Sequence, residues 1–349
     1  MLNAGSEEKP IAHHVIEHAC DNGIRGQLGS ALEDSIAAGK STVIRCTVVV
    51  LNYNGKEFLG PCLDSLRAQT CRGFDVIVVD NGSTDGSQAF VQSAYPEIQV
   101  MALDENYGFC RANNLAVTCA IERGREFILL LNNDTVVASD ALHQMLLAAD
   151  AHPEAGVLCP KIYFPGEERR FWYAGGTFSL WTGRQIHRGW KKPDTGQFDT
   201  DTDINLATGC AFMIRAAVAK QVGLLDERFF AYLEDVEWSV RVTSAGYRIR
   251  FVPQATIIHY DGATWTGKIG KGSRKRPTYF SSRNLVLLFA KHARWYQLPT
   301  CIIGNLFCFV GFYTALRILR RDWQALWAIY RGLYDGFRAV LTAKGEAQR

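Results

Sequence analysis

Four short apolar runs, each ending in a cluster of Asn, Asp or Gly, constrain this chain more than any other feature. Thr47-Val48-Val49-Val50-Leu51 runs into Asn52-Tyr53-Asn54-Gly55, and Phe74 to Val79 runs into Asp80-Asn81-Gly82-Ser83-Thr84-Asp85-Gly86. Val100 to Leu103 precedes Asn106-Tyr107-Gly108, and Phe127-Ile128-Leu129-Leu130-Leu131 precedes Asn132-Asn133-Asp134. Short runs rich in Val, Ile and Leu, without polar alternation, are the pattern of strands covered on both faces. Helical spacing fills the gaps: Phe58, Leu59, Cys62, Leu63 and Leu66, then Phe90 and Val91, then a segment through Arg111 and Val117 ending near Gly124. Strands alternating with helices predict an α/β fold with a mainly parallel, helix-covered sheet. Ligands bind beyond the carboxyl ends of the strands in such sheets, and all four polar clusters fall there. Asn and Asp also serve as plain turn formers. That alternative weighs most on Asn52 and Asn54, and least on Asp80 and residues 132–134, which cap two of the most apolar runs.

The character changes from Gly156. Phe171 to Trp190, rich in aromatics and Gly, predicts a hairpin or long loop, and Thr208 to Arg215 a buried strand. Tyr247 to Pro253 and Ala255 to His259 predict two more strands, and the basic, glycine-rich stretch from Gly262 to Pro277 a lid or surface loop. Between them, Phe229-Phe230-Ala231-Tyr232-Leu233-Glu234-Asp235-Val236-Glu237 places three carboxylates within four positions, where the helical pattern Val236, Val240, Thr243 begins. Acids in a first turn are favoured by the helix dipole, so a plain surface helix is one reading and a positioned proton acceptor the other.

Composition sets the bounds. A chain of 349 residues, 48% hydrophobic and 21% charged, has ample material for one large core or two domains. The net charge of +3 is too small to point to nucleic acid. Ten cysteines without a Cys-x-x-Cys pair predict reduced thiols in a cytosolic protein, not a disulfide framework or zinc site. Residues 1–42, with His13, His14 and His18, read as a loosely packed extension. Trp295 to Leu316 carries no charge and has the length of a membrane span, though Pro299, Gly304, Asn305 and Gly311 weaken it. After Arg317, Arg320 and Arg321, the residues Trp323, Leu326, Trp327, Tyr330, Leu333, Tyr334, Phe337 and Val340 form a helical stripe beside Arg331 and Arg338. A basic amphipathic helix with Trp and Tyr suits a membrane interface. Packing on the rest of the chain, or a dimer contact, is the alternative.

The ordered set of motifs resembles the family-2 glycosyltransferases with the GT-A fold. It is carried by Val48 to Asn54, Val78 to Asp85, Asn106-x-Gly108 with Asn113-Asn114, Leu131 to Asp134, Thr208 to Phe212, Phe229 to Glu237, His259-Tyr260-Asp261-Gly262 and Tyr279 to Asn284, over roughly residues 45–290. Within that family the chain is most similar to the rhamnosyltransferase-like branch of bacterial cell-surface glycan synthesis. The resemblance implies a GT-A-type, Rossmann-like mixed sheet covered by helices. It also implies inverting transfer, by direct displacement at the anomeric carbon, from a nucleotide-sugar to a hydroxyl of a glycan or lipid-linked glycan. dTDP-rhamnose is the first expectation for the donor, with UDP- and GDP-sugars open, and a divalent cation, Mg or Mn, is the implied cofactor. Asp80 would contact the nucleobase, and Asn52 and Asn54 the nucleoside. Asn81, Asn106, Asn113 and Asn132 fall in the matching donor-side motifs. Asp134 would end the metal-binding Asp-x-Asp motif, with His259 completing the metal site, and Arg283 would meet the diphosphate. Asp235 would be the base, with Glu234 and Glu237 as neighbouring catalytic carboxylates.

Two departures stand out. The metal motif is Asn132-Asn133-Asp134, with one carboxylate, and the Gln-x-x-Arg-Trp motif of processive synthases is missing, Lys291 standing where Gln would be. The second predicts one sugar per event. A dinucleotide-dependent oxidoreductase would need Gly-x-Gly-x-x-Gly after the first strand, where this chain reads Asn52-Tyr53-Asn54-Gly55-Lys56-Glu57. A catalytically inactive sugar-nucleotide-binding or scaffold protein on the same fold remains the rival. The expected organisation is an extension over 1–42, a catalytic domain over 43–290 and a helical, membrane-associating region over 291–349. The protein would then be cytoplasmic and peripheral on the inner face of the cell membrane, with a homo-oligomer also open.

Overall fold

The computed structural model describes residues 43–260, 275–304 and 310–346. Its first half follows the predicted alternation: β1 (Cys46–Asn52), α1 (Lys56–Arg67), β2 (Phe74–Asn81), α2 (Ser87–Ala94), β3 (Gln99–Leu103), α3 (Gly108–Glu122) and β4 (Phe127–Asn132). β1 pairs in parallel with β2 and β4, and β2 with β3. Val48, Val49, Val50, Ile77, Val79 and Leu129 are buried, as expected of strands covered on both faces. The register sets Asn52 opposite Asp80 and Leu51 opposite Asn132, so three polar strand ends meet at one edge.

Next come β5 (Thr135–Val137), α4 (Ala141–Ala151), β6 (Ala155–Tyr163), β7 (Phe171–Tyr173), β8 (Gly176–Ser179), β9 (Arg184–His187), β10 (Thr202–Ile204), β11 (Ala211–Arg215), α5 (Ala216–Val222), a 3-10 turn (Glu227–Phe229), α6 (Glu234–Ser244) and β12 (Arg248–His259). β11 enters antiparallel between β4 and β6, and β12 lies parallel to β6. The result is a mixed sheet in the order β10-β12-β6-β11-β4-β1-β2-β3, with β5 on β12 and β7 on β6, whose longest ladders are parallel. β8 and β9 form the predicted hairpin. The two strands expected between Tyr247 and His259 are one. β12 runs through Pro253 with its register shifted between Val252 and Thr256. A bulge is how a sheet accepts a proline, which has no N–H for the ladder.

Four helices close the described chain: α7 (Lys275–His292), α8 (Leu298–Gly304), α9 (Phe312–Leu319) and α10 (Trp323–Glu346). Of the predicted loop, residues 262–274 lie outside the described residues, as do residues 1–42, and Lys275 to Pro277 open α7. No described helix is long and apolar enough to cross a membrane, and residues 305–309 of the uncharged stretch from Trp295 lie outside the described residues. α7 runs past residue 290, the expected domain boundary, and packs along α10. Glycine makes that approach possible: a Cβ at Gly332 would lie 2.4 Å from the Tyr279 carbonyl oxygen, and one at Gly336 2.7 Å from that of Arg283. Tyr279 also donates to Asp335 at 2.9 Å. α10 thus buries its small side, Ala325, Ala328, Ile329, Gly332 and Gly336, and leaves Trp323, Trp327, Tyr330, Tyr334 and Phe337 exposed. All eight cysteines among the described residues are free thiols.

Candidate active site

A cleft of about 360 Å³ lies over the carboxyl ends of β1, β2 and β4. Of the predicted residues it brings together Asn81, Asn106, Asn132, Asp134, Glu234, Asp235 and His259, and adds Tyr53, Asn133, Trp172, His187, Thr208 and Gly209 to its lining. Asn52, Asn54, Asp80, Asn113, Glu237 and Arg283 are not in the lining, and their bonds show what each does instead.

On one side, side-chain amides knit the strand ends. Asn133 Nδ2 donates to Asn52 Oδ1 at 2.6 Å, and Asn52 Nδ2 donates to Asp80 Oδ1 at 3.0 Å. All three are buried, so this relay fixes the ends of β4, β1 and β2 against one another. Asn54 sits at φ +51°, its Oδ1 accepting from the Thr84 backbone N–H at 2.8 Å, which is turn-forming work. Asn81 accepts from Tyr107 N–H at 2.9 Å and donates to Asn106 Oδ1 and the Gly108 carbonyl, both at 3.2 Å. Gly108 itself has φ +82°, and a Cβ there would lie 2.6 Å from the Phe230 ring. Asn113 is buried in α3, donating to the Phe109 carbonyl.

Asp134 and His259 are 125 positions apart, yet His259 Nε2 lies 3.1 Å from Asp134 Oδ1, and both are buried. β5 brings them together by pairing with the end of β12, setting His259 opposite Thr135, and Tyr260 N–H adds a bond to the Asp134 carbonyl at 3.0 Å. Burial opposes a charged His259 ring, but the Cys210 thiol and the Asp134 carboxylate outweigh it and raise the group well above the ordinary histidine range. Once the ring gives up its extra proton, one carboxylate oxygen and one imidazole nitrogen are a donor pair; no described residues form a set of three or more His, Cys, Asp or Glu that could hold a metal. The pair therefore fits a cation that takes its remaining oxygens from a diphosphate and water, as Mg²⁺ does, and not a cation caged by protein alone.

Opposite stand the acids. Phe230, Tyr232 and Leu233 have φ of +59°, +71° and +64°, a conformation that costs non-glycine residues roughly 1–3 kcal/mol each and persists only where the surroundings over-determine it. Asn284 Nδ2 does this, lying 2.7, 2.8 and 2.6 Å from the carbonyls of Phe229, Ala231 and Tyr232. Arg283 donates to the carbonyls of Arg228 and Phe229 at 2.6 and 2.9 Å and lies over the Phe280 ring, so its guanidinium is engaged in holding the loop. The loop delivers Glu234 and Asp235 to the cleft at the start of α6. Asp235 accepts from the backbone N–H of Gly209 and Val236, both at 2.8 Å, yet burial still raises it above the ordinary aspartate range. Burial, and then the Asp235 charge beside it, push Glu234 up to about 8. Two adjacent carboxylates in one dry site do not ionise together, so near neutral pH one is a base and the other still an acid. Glu237 points elsewhere: fully buried, it accepts from Arg241, Lys291 and His292, which against the effect of burial bring it down to about 2.

The sequence reading missed Asn284, although it lies in a quoted motif. A side chain that satisfies backbone carbonyls leaves no pattern of its own. It missed Trp172 and His187 too, which enter the cleft only because β7 and the β8–β9 hairpin fold over it.

A family model described as "Glycosyl transferase family 2" matches residues 47–223. The N-acetylglucosaminyl-diphospho-decaprenol L-rhamnosyltransferase of Mycobacterium tuberculosis is 24% identical over 271 residues, covering 72% of this chain and 86% of its own. The dTDP-rhamnosyl transferase RfbF of Shigella flexneri is 21% identical over 215 residues, covering 61% of this chain and 68% of its own. Among solved structures, GalNAc-T7 with UDP, GalNAc and Mn²⁺ superposes with a TM-score of 0.51 at 15% identity, over 71% of this chain and 51% of that one, a likeness of fold. The mixed, helix-covered sheet with a helical C-terminal region is the GT-A-type architecture expected from the motifs.

Proposed function

We propose, from the premise that this chain belongs to glycosyl transferase family 2, that it is an inverting enzyme moving one sugar at a time from a nucleoside diphosphate donor to a hydroxyl of a glycan or lipid-linked glycan. Its likeness to an L-rhamnosyltransferase and a dTDP-rhamnosyl transferase favours rhamnose as the sugar and dTDP as the carrier. The setting is cell-surface polysaccharide synthesis at the inner face of the cell membrane. The observation that carries the reading is the delivery of Asp235, by a strained and clamped loop, into the same cleft as the Asp134–His259 pair.

In this reading Asp235 Oδ accepts the proton of the acceptor hydroxyl while that oxygen attacks the anomeric carbon. The bond to the diphosphate breaks on the opposite face, and the nucleoside diphosphate leaves. Glu234, still protonated near neutral pH, offers a hydrogen bond to a sugar hydroxyl and keeps a second negative charge out of the cleft. Asp134 and His259 would hold a divalent cation whose charge neutralises the departing diphosphate. Asn81 and Asn106 shape the wall against which the nucleoside lies, with Asn52 and Asp80 bracing the strands behind it.

Titration calorimetry with dTDP-, UDP- and GDP-sugars, with Mg²⁺ or Mn²⁺ and then with EDTA, tests this. Cation-dependent binding of one nucleotide, followed by release of its diphosphate on adding an acceptor, is the expected result. Donor binding without turnover on any acceptor would replace it with an inactive binding protein.

A further inference from the structure

We propose that the outward face of α10, with the adjoining α9, docks along an anionic lipid surface without crossing it. This deepens the reading above, naming the surface at which a lipid-linked acceptor is met. A soluble helix ordinarily turns its large apolar residues inward. α10 does the reverse. Trp323, Trp327, Tyr330, Tyr334, Phe337 and Leu341 are 49–69% exposed. At 3.6 residues per turn these six fall within an arc of about 80°. The opposite side holds Ala325, Ala328, Gly332 and Gly336, and it is already taken by α7. The aromatic arc is therefore not a core face left uncovered by chance, because the helix has a separate, glycine-fitted face for its core contact.

Chemistry and charge choose the occupant. Trp and Tyr, amphipathic rings with a polar edge, favour the headgroup layer of a bilayer. Between residues 310 and 342 the chain has five arginines, 317, 320, 321, 331 and 338, and two aspartates. Both aspartates are paired, Asp322 with Arg317 and Asp335 with Arg331. Arg331 and Arg338 lie together along one edge of the aromatic arc, and basic residues beside an aromatic face are usual on helices that lie in a lipid interface. A second copy of the chain, meeting this face by two-fold symmetry, would set the same positive charge against itself. An anionic surface complements it. α9 continues the surface: Phe312, Ile318 and Leu319 are exposed, and Thr314 Oγ1 meets the Tyr330 hydroxyl at 3.1 Å. No described helix is both long and apolar enough to span, and the contact proposed is a peripheral one.

The test is co-sedimentation of the full chain with vesicles of equal parts phosphatidylglycerol and phosphatidylcholine, and with phosphatidylcholine alone. The unaltered chain should pellet with the mixed vesicles and much less with the neutral ones, its tryptophan emission shifting to the blue. The fourfold variant Trp327→Ser, Tyr330→Ser, Tyr334→Ser, Phe337→Ser should lose at least about tenfold in partitioning. The pair Arg331→Gln, Arg338→Gln should lose its preference for anionic lipid while keeping the neutral-vesicle background. Because these residues lie outside the cleft, nucleotide-sugar binding should be unchanged in every variant. A chain that binds vesicles but no nucleotide-sugar would defeat the transferase reading alone. An unaltered chain that stays in the supernatant, a fourfold variant that pellets like it, or a dimer in the ultracentrifuge that the fourfold variant abolishes would overturn the docking proposal.

Discussion

Replacing Asn284 by Ala should disable the acid loop without unfolding the protein. The Asn284 amide lies within 2.8 Å of three loop carbonyls. It has two hydrogens, so the substitution removes about two buried hydrogen bonds, each with a net value of about 1 kcal/mol, and leaves their acceptors unpaired. The loop it restrains holds three non-glycine residues at positive φ, storing on the order of 3–9 kcal/mol that relaxation would release. A loss of about 2 kcal/mol in restraint lowers the equilibrium constant for the productive loop about thirtyfold. We therefore expect kcat to fall by up to that factor, while KM for the donor changes little, because Asn81, Asn106 and Asp134 do not touch Asn284. The assay is steady-state release of nucleoside diphosphate with the donor identified by calorimetry, alongside a thermal melt. A lowered melting temperature with unchanged kcat would show that Asn284 only stabilises the fold and would refute the positioning role.

Three further outcomes follow from the site. Asp235→Asn should retain donor binding in calorimetry and lose about 10²–10⁴-fold in kcat, the usual contribution of a positioned base; near-normal turnover would move the base to Glu234. Glu234, pushed up to about 8, is neutral below that pH and charged above it, so kcat/KM should decline above about pH 8 as a second charge enters the donor's cleft. Glu234→Gln, neutral throughout, should flatten that limb in the pH–rate profile, and an unchanged limb would dismiss the assignment. Glu237 is held at about 2 by its basic partners. Its contribution, roughly 3 kcal/mol, is present above its unfolded pKa near 4.5 and is lost as pH falls towards 2. In denaturant titrations at falling pH, Glu237→Gln should be less stable at neutrality and should lack this part of the acid-induced loss.

The first four strands and the three helices between them were legible because each strand is an unbroken apolar run ended by a turn-forming cluster. β6 was not, and Pro160 and Lys161 explain why. Both argue against an inner strand, yet Lys161 is buried and satisfied by Asp194 and Asp199 from a distant loop. Pro253 likewise split β12 on paper, while a bulge carries it through in space. Within the site, Asp134 and Asp235 were legible from the clusters that hold them. Their geometry was not, since the Asp134–His259 contact depends on the three-residue β5 and the support of the acid loop on Asn284. Arg283 and Glu237 show the limit of reading charge from sequence. Both were expected at the ligand, and both instead bind protein groups that sequence spacing does not reveal.

One turn of α7 has two neighbours. On one side Gly332 and Gly336 press against the backbone of Tyr279 and Arg283, and on the other Arg283 and Asn284 grip the carbonyls of residues 228–232. α7 is a strut between the outermost helix and the innermost acid. Shortening the chain at residue 294 would therefore not yield a neutral, more soluble catalytic piece. It would strip the strut of its backing and loosen Asp235 as well. Any force borne by α10 reaches Asp235 across the width of a single helix.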